Sequence, residues 1–547
     1  MTRRRILSIV FLSIVLIPIT AILYHRLVAA ISSLGKSSIA HMATPSSPPV
    51  IVVGAGLAGL SAAYSALQAG APAVRLLERA PKPGGNSIKA SSGINGAPTR
   101  FQNAAKHGVD ESFWDDTVRS AGTRLHASSV AEAVRSHRQG LISTLTGRSA
   151  SAIDFLVDLG VDLSVVAQLG GHSKPRTHRG AGKTPPGAAI ITTLLNKLKE
   201  QHADRFELLT GAEVTKLITE EERVTGVEYR TTTATTTTTT TDAAANATTT
   251  TTTTHTLHGP VVFTTGGFGG DTHGLLAKYR PDLAGLPSTN DPRPGAHSLL
   301  SAAGARLVDM ESVQIHPTGF VDPASPGARV KFLAAELLRG EGGVLLHKGK
   351  RFVNELETRE RVSEEVMKLP SLEEGGLRQW DVQMVLDPGA AEAAAGHVGF
   401  YLWKGLLRKT KVKDLDETTR QTLLEYAAVV RGETKDPFGR VAFGRWKLGL
   451  EGGTGPEEDA EVCIGRVTPI VHFTMGGAVF NERAQVLASE MGDEEKPIPG
   501  LWAAGEITGG IHGDNRLGGS SLLECVVFGR IAGEQAANAA LERGKLG

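Results

Sequence analysis

The sequence predicts an α/β fold in which helices cover a parallel β-sheet, and three stretches of the chain carry this prediction. An apolar run of strand length, residues 50–53, leads through a glycine-rich turn into the helical stretch Leu60 to Gln68. The order strand then glycines recurs at residues 261–264 with 265–270, and again at residues 502–506. This pattern is typical of a Rossmann-like dinucleotide-binding domain.

Length and composition exclude several classes of protein. The chain has 547 residues, 41% hydrophobic and 21% charged, so it can bury a sizeable core and is not mainly disordered. Its 58 Lys and Arg against 57 Asp and Glu leave no basic surplus for binding nucleic acid. The two cysteines, Cys463 and Cys525, lie far apart and outside any CxxC pattern, which excludes an iron–sulfur cluster, attached haem c and a disulfide scaffold. We predict no metal site.

The N-terminus is predicted to be a membrane or export signal. Three arginines precede an uncharged segment, Ile6 to Tyr24, of the length that spans a bilayer. Because this segment is long for a cleaved peptide, we expect residues 1–30 to be an uncleaved signal anchor, with cleavage near Ala29 as the alternative. Residues 31–48 would be a linker, and the catalytic part would face the lumen of the endoplasmic reticulum. A mitochondrial presequence is the competing interpretation.

A threonine tract interrupts the chain. Residues 231–254 are almost all Thr and Ala and carry no apolar periodicity, so we expect a surface loop over 231–257 between two strands. Asn246 begins an Asn-Ala-Thr glycosylation sequon, and its use is left open because such triplets arise readily in a Thr-rich tract.

The first glycine turn has a specific function for each glycine. Gly54 permits the tight turn, Gly56 lets a pyrophosphate approach the backbone, and Gly59 lets helix and strand pack closely. The helix N-terminus adds amide donors and a partial positive charge. A second apolar strand, Val74 to Leu77, ends in Glu78, which is placed to accept hydrogen bonds from an adenosine ribose.

Two small-residue segments, 84–87 and 90–96, then favour a flavin over a nicotinamide, since a nicotinamide domain would continue into another helix. Taken with the later strand-then-glycine segments, the sequence resembles the FAD-dependent oxidoreductases of the fumarate reductase and succinate dehydrogenase flavoprotein superfamily, from Val50 to Gly533. The resemblance implies a glutathione-reductase-type FAD-binding domain. It implies FAD contacts from Gly54, Ala55, Gly56, Leu57, Ala58, Gly59, Glu78, Arg79, Gly85, Asn86, Ser87, Ser91, Ser92, Gly93, Ile94, Asn95, Val214, Thr265, Gly266, Gly267, Glu506, Arg516, Ser521 and Leu522.

Six further motifs resemble the soluble fumarate reductases of the eukaryotic, yeast-like type. They are residues 314–318, 335–340, 351–355, 358–363, 471–477 and 512–519. Alone, each His or Arg in them would more often be structural, but here they occur together and in family order.

A buried dicarboxylate needs positive charge at both ends, and Arg supplies a bidentate donor fork. The resemblance implies that His472 and Arg516 clasp one carboxylate, while His316 and Thr318 lie toward the other with Glu336 nearby.

The resemblance implies that hydride passes from flavin N5 to one alkene carbon of fumarate and that Arg359 protonates its neighbour, giving succinate. Free arginine ionises only above about pH 12, so reasoning from the residues alone favours a histidine as the acid. Glu336 and Arg339 match the family's relay for reprotonating Arg359. The implied catalytic residues are Arg359, Glu336, Arg339, His316, His472 and Arg516. The electron donor is expected to be free reduced flavin or an unidentified redox partner.

Two departures from the family pattern stand out. Residues 88–98 contain no histidine to which flavin could be tethered, so FAD is expected to be non-covalent. At residues 295–297 the chain reads Gly-Ala-His where relatives commonly have Gly-Asp-Gly, so a helix-capping carboxylate is lost at about 1 kcal/mol. Two alternatives remain: a related reductase acting on urocanate, a ketosteroid or aspartate, and a catalytically idle flavoprotein scaffold or redox sensor.

The order of the motifs implies the domain organisation. Residues 49–318 and 467–547 are expected to form the FAD-binding domain, and residues 319–466 an inserted α+β capping domain. The substrate site would lie in the cleft between them, with Gly319 as a hinge.

Overall fold

The computed structural model describes residues 47–182, 184–237, 247–334, 337–338, 340–450 and 457–546. Residues Ser47–Gly547 belong to one compact unit. The predicted signal anchor and most of the linker lie outside the described residues. Within the described ranges, every helix is too short or too polar to cross a bilayer. The same ranges contain no cluster of His, Cys, Asp and Glu suited to a metal ion.

The strands are β1 (Val50–Val53), β2 (Val74–Glu78), β3 (Ile94–Asn95), β4 (Val165–Ala167), β5 (Thr177–Arg179), β6 (Phe206–Thr210), β7 (Ala212–Glu220), β8 (Arg223–Thr237), β9 (Ala247–His258), β10 (Val261–Phe263), β11 (Leu307–Val308), β12 (Val313–Phe320), β13 (Phe332–Leu333), β14 (Val344–Leu346), β15 (Ser371–Glu374), β16 (Leu377–Trp380), β17 (Val382–Leu386), β18 (Arg408–Lys411), β19 (Glu461–Thr474), β20 (Gly477–Ala478), β21 (Gln485–Leu487) and β22 (Pro497–Ala503). The α-helices are α1 (Leu57–Gln68), α2 (Ala104–His107), α3 (Phe113–Ala121), α4 (Thr123–His126), α5 (Glu132–Gly147), α6 (Ser149–Asp158), α7 (Pro186–Gln201), α8 (Leu275–Tyr279), α9 (His297–Ala302), α10 (Arg359–Met367), α11 (Pro388–Ala393), α12 (Ala395–Trp403), α13 (Glu417–Val430) and α14 (Ser520–Leu546).

One six-stranded sheet has the order β21-β22-β10-β1-β2-β6 and combines strands from the N-terminal and C-terminal parts of the chain. Strands β22, β10, β1, β2 and β6 run parallel, and β21 is antiparallel at the edge. Strand β1 is buried along its whole length, as a continuous apolar run in a parallel sheet requires. The three stretches that predicted the fold are therefore neighbours in one sheet, and the predicted α/β fold class is confirmed.

Helices α1 and α14 pack against each other through small residues. A Cβ atom on Gly529 would lie 2.6 Å from the carbonyl oxygen of Ala58, and one on Gly533 would lie 2.1 Å from that of Ala62. Only glycine at these two positions lets the backbones approach this closely. The contact places the third and fourth turns of α14 beside the first two turns of α1.

A second sheet, antiparallel throughout, has the order β13-β12-β19-β17-β14, with β18 also paired to β19. The boundaries predicted for the capping segment fall inside its central strand pair, where Gly319 pairs with Thr468 and Phe320 with Val467. The two ends of the inserted segment therefore lie next to each other on adjacent strands. A Cβ atom on Gly319 would lie 2.3 Å from Cγ2 of Ile470, so close packing requires a glycine there.

The threonine tract differs from the expected loop. Strands β8 and β9 form an antiparallel hairpin in which Thr231 pairs with Thr253 and the pairing continues to Thr237 opposite Ala247. The β-branched side chain of Thr favours strands, and Thr pairs across neighbouring strands are stabilising. The absence of apolar periodicity therefore did not exclude strands, and the described part of the tract forms a hairpin rather than a loop. Asn246 and its sequon lie outside the described residues except for Ala247 and Thr248.

Helix α9 begins without a side-chain cap, as the Gly-Ala-His sequence predicts, because Ala296 occupies the N-cap position. A distant carboxylate stabilises the turn before this helix, because Asp271 accepts the backbone N–H of Gly295 at 3.0 Å. The first helical residue, His297, is fully buried with its ring edge-on to Phe268 at 5.2 Å between centroids. Neither ring nitrogen of His297 has a hydrogen-bond partner in the part of the chain that is described.

Candidate active site

The first glycine turn has the geometry that its sequence predicted. Gly54 has φ +102°, and a Cβ atom there would lie 2.5 Å from the Thr264 carbonyl oxygen. A Cβ atom on Gly59 would lie 1.9 Å from the Gly54 carbonyl oxygen. At Gly56 the nearest atom to such a Cβ is the Ser87 hydroxyl at 3.7 Å, so this backbone faces open space where a cofactor phosphate could approach.

Glu78 lies at the end of β2 and holds the adjacent turn. Its carboxylate accepts the backbone N–H groups of Ala55 and Ala80, each at 2.8 Å. The neighbouring Arg79 donates to the Pro294 carbonyl at 3.0 Å. Val214, on β7, is half-buried and packs against an apolar cluster beside the parallel sheet.

The small-residue tract connects the glycine turn to the start of α14. Ser87 accepts the backbone N–H of Leu57 at 3.3 Å. Asn95 donates to the Gly518 carbonyl at 2.8 Å and to the Ser520 hydroxyl at 3.0 Å. Two distant parts of the chain are thereby joined at the N-terminus of α14, the helix whose first turn contains the predicted contacts at 521 and 522.

The second glycine segment leaves a cradle. Gly266 has φ +79° and no atom within 4 Å of a Cβ position, and the buried Thr265 hydroxyl has no hydrogen-bond partner within the described ranges. Glu506 lies alongside, where it accepts the N–H of Thr474 at 2.9 Å and its hydroxyl at 3.1 Å. Desolvation, together with the nearby Glu524 carboxylate, raises the pKa of Glu506 to about 7.

These segments together suit an extended dinucleotide. They combine an open backbone at Gly56, a helix N-terminus for a pyrophosphate, an orphaned buried hydroxyl at Thr265 and a small-residue tract that leads toward α14. The residues present therefore fit FAD. Hydrogen bonds link Ala55 with Glu78, Leu57 with Ser87, and Asn95 with the start of α14, and we call the surface between these segments the cofactor groove. Arg79 donates instead to Pro294, and Val214 packs against the apolar cluster beside the sheet.

The predicted substrate residues meet on the strand pair β12 and β19. The rings of His316 and His472 are edge-to-face with centroids 5.6 Å apart. Thr318 donates its backbone N–H to Nδ1 of His316 at 3.3 Å, so this nitrogen accepts and carries no proton in that contact.

Arg516 enters from the loop before α14. Its guanidinium lies 4.3 Å from the centroid of the Phe473 ring and donates to Oε1 of Gln314 at 3.1 Å. The Gln314 amide returns a hydrogen bond to the Arg516 carbonyl at 3.3 Å. The sequence assigned Gln314 no function, and its position two residues before His316 on β12 was the available signal.

Arg359 is the first residue of α10. The Thr358 side chain caps this helix by accepting the N–H of Arg361 at 3.2 Å. The Arg359 side chain is buried, and a Cβ atom on Gly518 would lie 3.5 Å from its Nη2. Arg359 therefore lies against the same loop that carries Arg516, although the two arginines are far apart in sequence.

His472 is neutral near pH 7. Desolvation lowers the pKa of His472 well below its ordinary value, and the charges of Arg516 and Arg359 lower it further. The site therefore contains two guanidinium charges and an uncharged imidazole. The predicted relay residues Glu336 and Arg339 lie outside the described residues, and their roles stay predictions.

A buried arginine on α5 holds the loop that leads to Arg516. Arg138 donates to the carbonyls of Gly510 and His512 at 3.0 and 2.5 Å. It also donates to the buried carboxylate of Asp309 at 2.8 Å, just before β12. Asp309 has φ +55°, an uncommon conformation for a residue other than glycine. Arg138 thus joins the two segments that carry the predicted carboxylate-binding residues.

Comparison with known proteins places this fold and site in a family. The FAD binding domain family matches residues 49–522. A fumarate reductase of Schizosaccharomyces pombe is 39% identical over 521 residues, covering 92% of each chain. Fumarate reductase 1 of Saccharomyces cerevisiae is 39% identical over 509 residues, covering 90% of this chain and 98% of the relative. The open conformation of a flavocytochrome c3 fumarate reductase matches with a TM-score of 0.67 at 30% identity, over 90% of this chain and 78% of the other.

The chain therefore belongs to the FAD-binding flavoprotein oxidoreductase family that includes these fumarate reductases. Its cofactor is FAD, as the sequence predicted.

Proposed function

We propose that this protein is an FAD-dependent fumarate reductase that converts fumarate to succinate. The observation that supports this most directly is the pair of buried guanidinium groups of Arg359 and Arg516, whose charges both act on the neutral His472. Two positive charges in one buried site match a small molecule with two carboxylates, because burying an unpaired carboxylate is costly. The names of the relatives from the two yeasts support the same substrate.

In this proposal Arg516 binds one carboxylate through its planar fork. Gln314 and the Phe473 ring fix the guanidinium from two sides, so little freedom is lost when substrate binds. The neutral His472 adds a ring N–H donor without adding a third charge. His316 and Thr318 lie toward the second carboxylate. Binding at both ends polarises the double bond and makes it electrophilic.

Reduced FAD supplies the hydride when it is bound. The chain then has to deliver a proton to the neighbouring carbon, and Arg359 is the proposed donor. Its burial against Gly518 keeps the guanidinium out of bulk water. Glu336 and Arg339 are proposed to return a proton to Arg359 from solvent.

The inserted segment 319–466 is proposed to act as a cap over this site. It carries Arg359, whereas Arg516 belongs to the loop before α14, so closing the cap would bring the two guanidinium groups together and expel water. Gly319 is proposed as one hinge position. Its place in the paired strands β12 and β19 would make the motion a twist of that strand pair.

The test is anaerobic reoxidation of the reduced holoenzyme by fumarate, followed by flavin absorbance and by succinate formation. Arg359→Ala should slow reoxidation by about 10²–10⁴-fold, the range for losing a general acid, with FAD still bound. Arg361→Ala is the matched control, because Arg361 lies on the same helix, is exposed and pairs with Glu365 at 2.8 Å. Turnover retained in Arg359→Ala would remove Arg359 from the mechanism.

Arg516→Ala should weaken binding of malonate, a non-reacting dicarboxylate, by at least about thirtyfold, since truncating one partner of a buried charge pair costs about 2–5 kcal/mol. An unchanged malonate affinity would contradict the carboxylate clasp. A wild-type enzyme that reduces urocanate faster than fumarate would instead favour another unsaturated acid as substrate.

We also propose that residues 1–30 attach the protein to a membrane, with the catalytic part in the lumen of the endoplasmic reticulum. The uncharged segment Ile6 to Tyr24 behind three arginines supports this. Full-length protein should resist carbonate extraction, and deletion of residues 1–30 should release it. Imaging of a C-terminal fluorescent fusion separates the endoplasmic reticulum from the mitochondrion.

The electron donor is proposed to be free reduced flavin or a redox partner protein. Fumarate-dependent oxidation of reduced FMN by the purified enzyme separates these two sources. Oxidation of reduced FMN with the purified enzyme as the sole protein present would favour free reduced flavin as the donor.

A further inference from the structure

A buried polar network beside the active site connects Arg176, through His172, to the carbonyl of Gly518. Its centre is Arg176, which is fully buried. The Arg176 guanidinium donates to both oxygens of Asp110 at 2.7 and 2.9 Å and to Asp116 at 2.6 Å. Its Nη1 also lies 2.9 Å from Nδ1 of His172.

This contact determines the tautomer of His172. A guanidinium has only N–H donors, so Nδ1 of His172 must be the acceptor and carries no proton. The ring proton therefore lies on Nε2, which is 3.0 Å from the carbonyl oxygen of Gly518. The hydrogen bonds run in one direction, from Arg176 through the imidazole to Gly518.

The Asp pair keeps Arg176 in place. Burial by itself raises the pKa of Asp110 and of Asp116, but hydrogen bonds and the charge of Arg176 contribute to a net lowering of both. Both carboxylates are therefore ionised near pH 7 and hold the guanidinium on two sides. Arg176 cannot turn away from His172 without leaving the buried Asp110 carboxylate without a cation, which is strongly unfavourable, whereas Asp116 would keep its ion pair with Arg119 at 2.8 Å.

The Gly518 carbonyl receives two hydrogen bonds at once. Asn95 donates to it at 2.8 Å and His172 at 3.0 Å, which uses both lone pairs of the oxygen. This fixes the plane of the peptide that follows Gly518. That peptide lies two residues after Arg516, immediately before α14 and against the Arg359 side chain.

We propose that His172 is a positioning residue for the active site, which as the neutral Nε2–H imidazole holds the Gly518 carbonyl and thereby places Arg516 relative to Arg359. His172 itself need not contact substrate. The dicarboxylate part of this inference rests on the proposed function, whereas the hold on the start of α14 does not.

Replacing His172 by Gln or by Asn distinguishes a positioning role from the purely structural role of accepting a hydrogen bond from Arg176. Gln reaches about as far as Nε2 of histidine, so His172→Gln keeps a donor for Gly518 and loses the acceptor for Arg176. Asn reaches about as far as Nδ1, so His172→Asn keeps the acceptor and loses the donor. A purely structural role, which is to satisfy Arg176, predicts that Asn is the better replacement. Positioning predicts that Gln is.

The experiment compares the wild-type, His172→Gln and His172→Asn holoenzymes. It measures malonate affinity, fumarate KM and kcat, and the midpoint of thermal unfolding. We expect His172→Asn to raise the malonate Kd and the fumarate KM about tenfold, the upper end of the effect of losing one hydrogen bond between neutral groups. The thermal midpoint should stay near that of the wild type. His172→Gln should remain within about threefold of the wild type. Equal affinities in the two variants, or tighter binding by His172→Asn, would overturn the proposal.

Visible circular dichroism of bound flavin gives a second measurement, because α14 begins beside the cofactor groove. If wild-type enzyme binds no dicarboxylate, the proposed function fails, and the flavin spectrum still tests His172. A changed spectrum in His172→Asn alone supports positioning, and identical spectra in both variants refute it. If His172→Asn fails to fold, a wild-type malonate affinity in His172→Gln supports the proposal and a tenfold loss contradicts it.

Discussion

Replacing His297 by leucine should remove part of the sensitivity of this protein to acid. The His297 ring is fully buried against Phe268, and desolvation lowers the pKa of His297 from 6.5 to about 4. Between these two pH values the unfolded chain binds a proton at this position and the folded protein does not. The free energy of unfolding therefore falls as the pH falls below about 6.5.

The size of this effect follows from the shift in pKa. One unit of pKa corresponds to about 1.36 kcal/mol, so at pH 5 the loss attributable to His297 is about 2 kcal/mol. At about pH 7.5 both states are neutral at this residue, and the loss is close to zero. Other buried histidines contribute similar losses, but they are unchanged in the variant and cancel in the comparison.

The assay is urea denaturation of the holoenzyme, followed by tryptophan fluorescence at about pH 7.5 and pH 5. His297→Leu should lose about 2 kcal/mol less than the wild type between the two conditions. The exposed His273 gives the control, since His273→Leu should lose as much as the wild type. If His297→Leu and the wild type lose equal stability, the reasoning from burial is refuted.

Three further results are expected. Acid precipitation should release FAD into the supernatant, because residues 88–98 contain no histidine to tether it, and a coloured pellet would contradict this. Gly59→Ala should yield protein without visible flavin absorbance, because its Cβ would lie 1.9 Å from the Gly54 carbonyl oxygen; normal flavin content would disprove the close contact. Arg138→Leu should lower the free energy of unfolding by about 3 kcal/mol, since the buried Asp309 carboxylate keeps only its longer ion pair with Arg124 at 3.7 Å. A loss below about 1 kcal/mol in denaturation would show that Arg124 compensates the charge of this carboxylate.

The α/β fold could be predicted because its signals are local. The run from Val50 into Gly54 and α1 contains strand, turn and helix within one short window, and the glycines there are required by backbone contacts that the motif itself defines. The threonine tract shows the opposite case. Its side chains carry no hydrophobic signal, and the hairpin β8–β9 depends on pairing between strands.

The candidate site could be predicted as a set of residue types but not as a set of contacts. The sequence identified Arg516, Arg359 and His472 through their motifs. It assigned no role to Gln314, Arg138 or His172, because each contacts a partner more than 170 residues away, and one sequence carries no record of such pairing. These three residues make hydrogen bonds to the loop 510–518, which carries Arg516.

The hairpin β8–β9 has one more consequence. Because Thr faces Thr at successive positions from Thr231 opposite Thr253 to Thr236 opposite Thr248, apart from Ala234, sliding one strand by two residues restores nearly the same pairs on the same faces. Gaining or losing threonines two at a time would change how far the ribbon projects and nothing about its chemistry. The length of the hairpin can therefore change in steps of two residues per strand without a change in its pairing pattern.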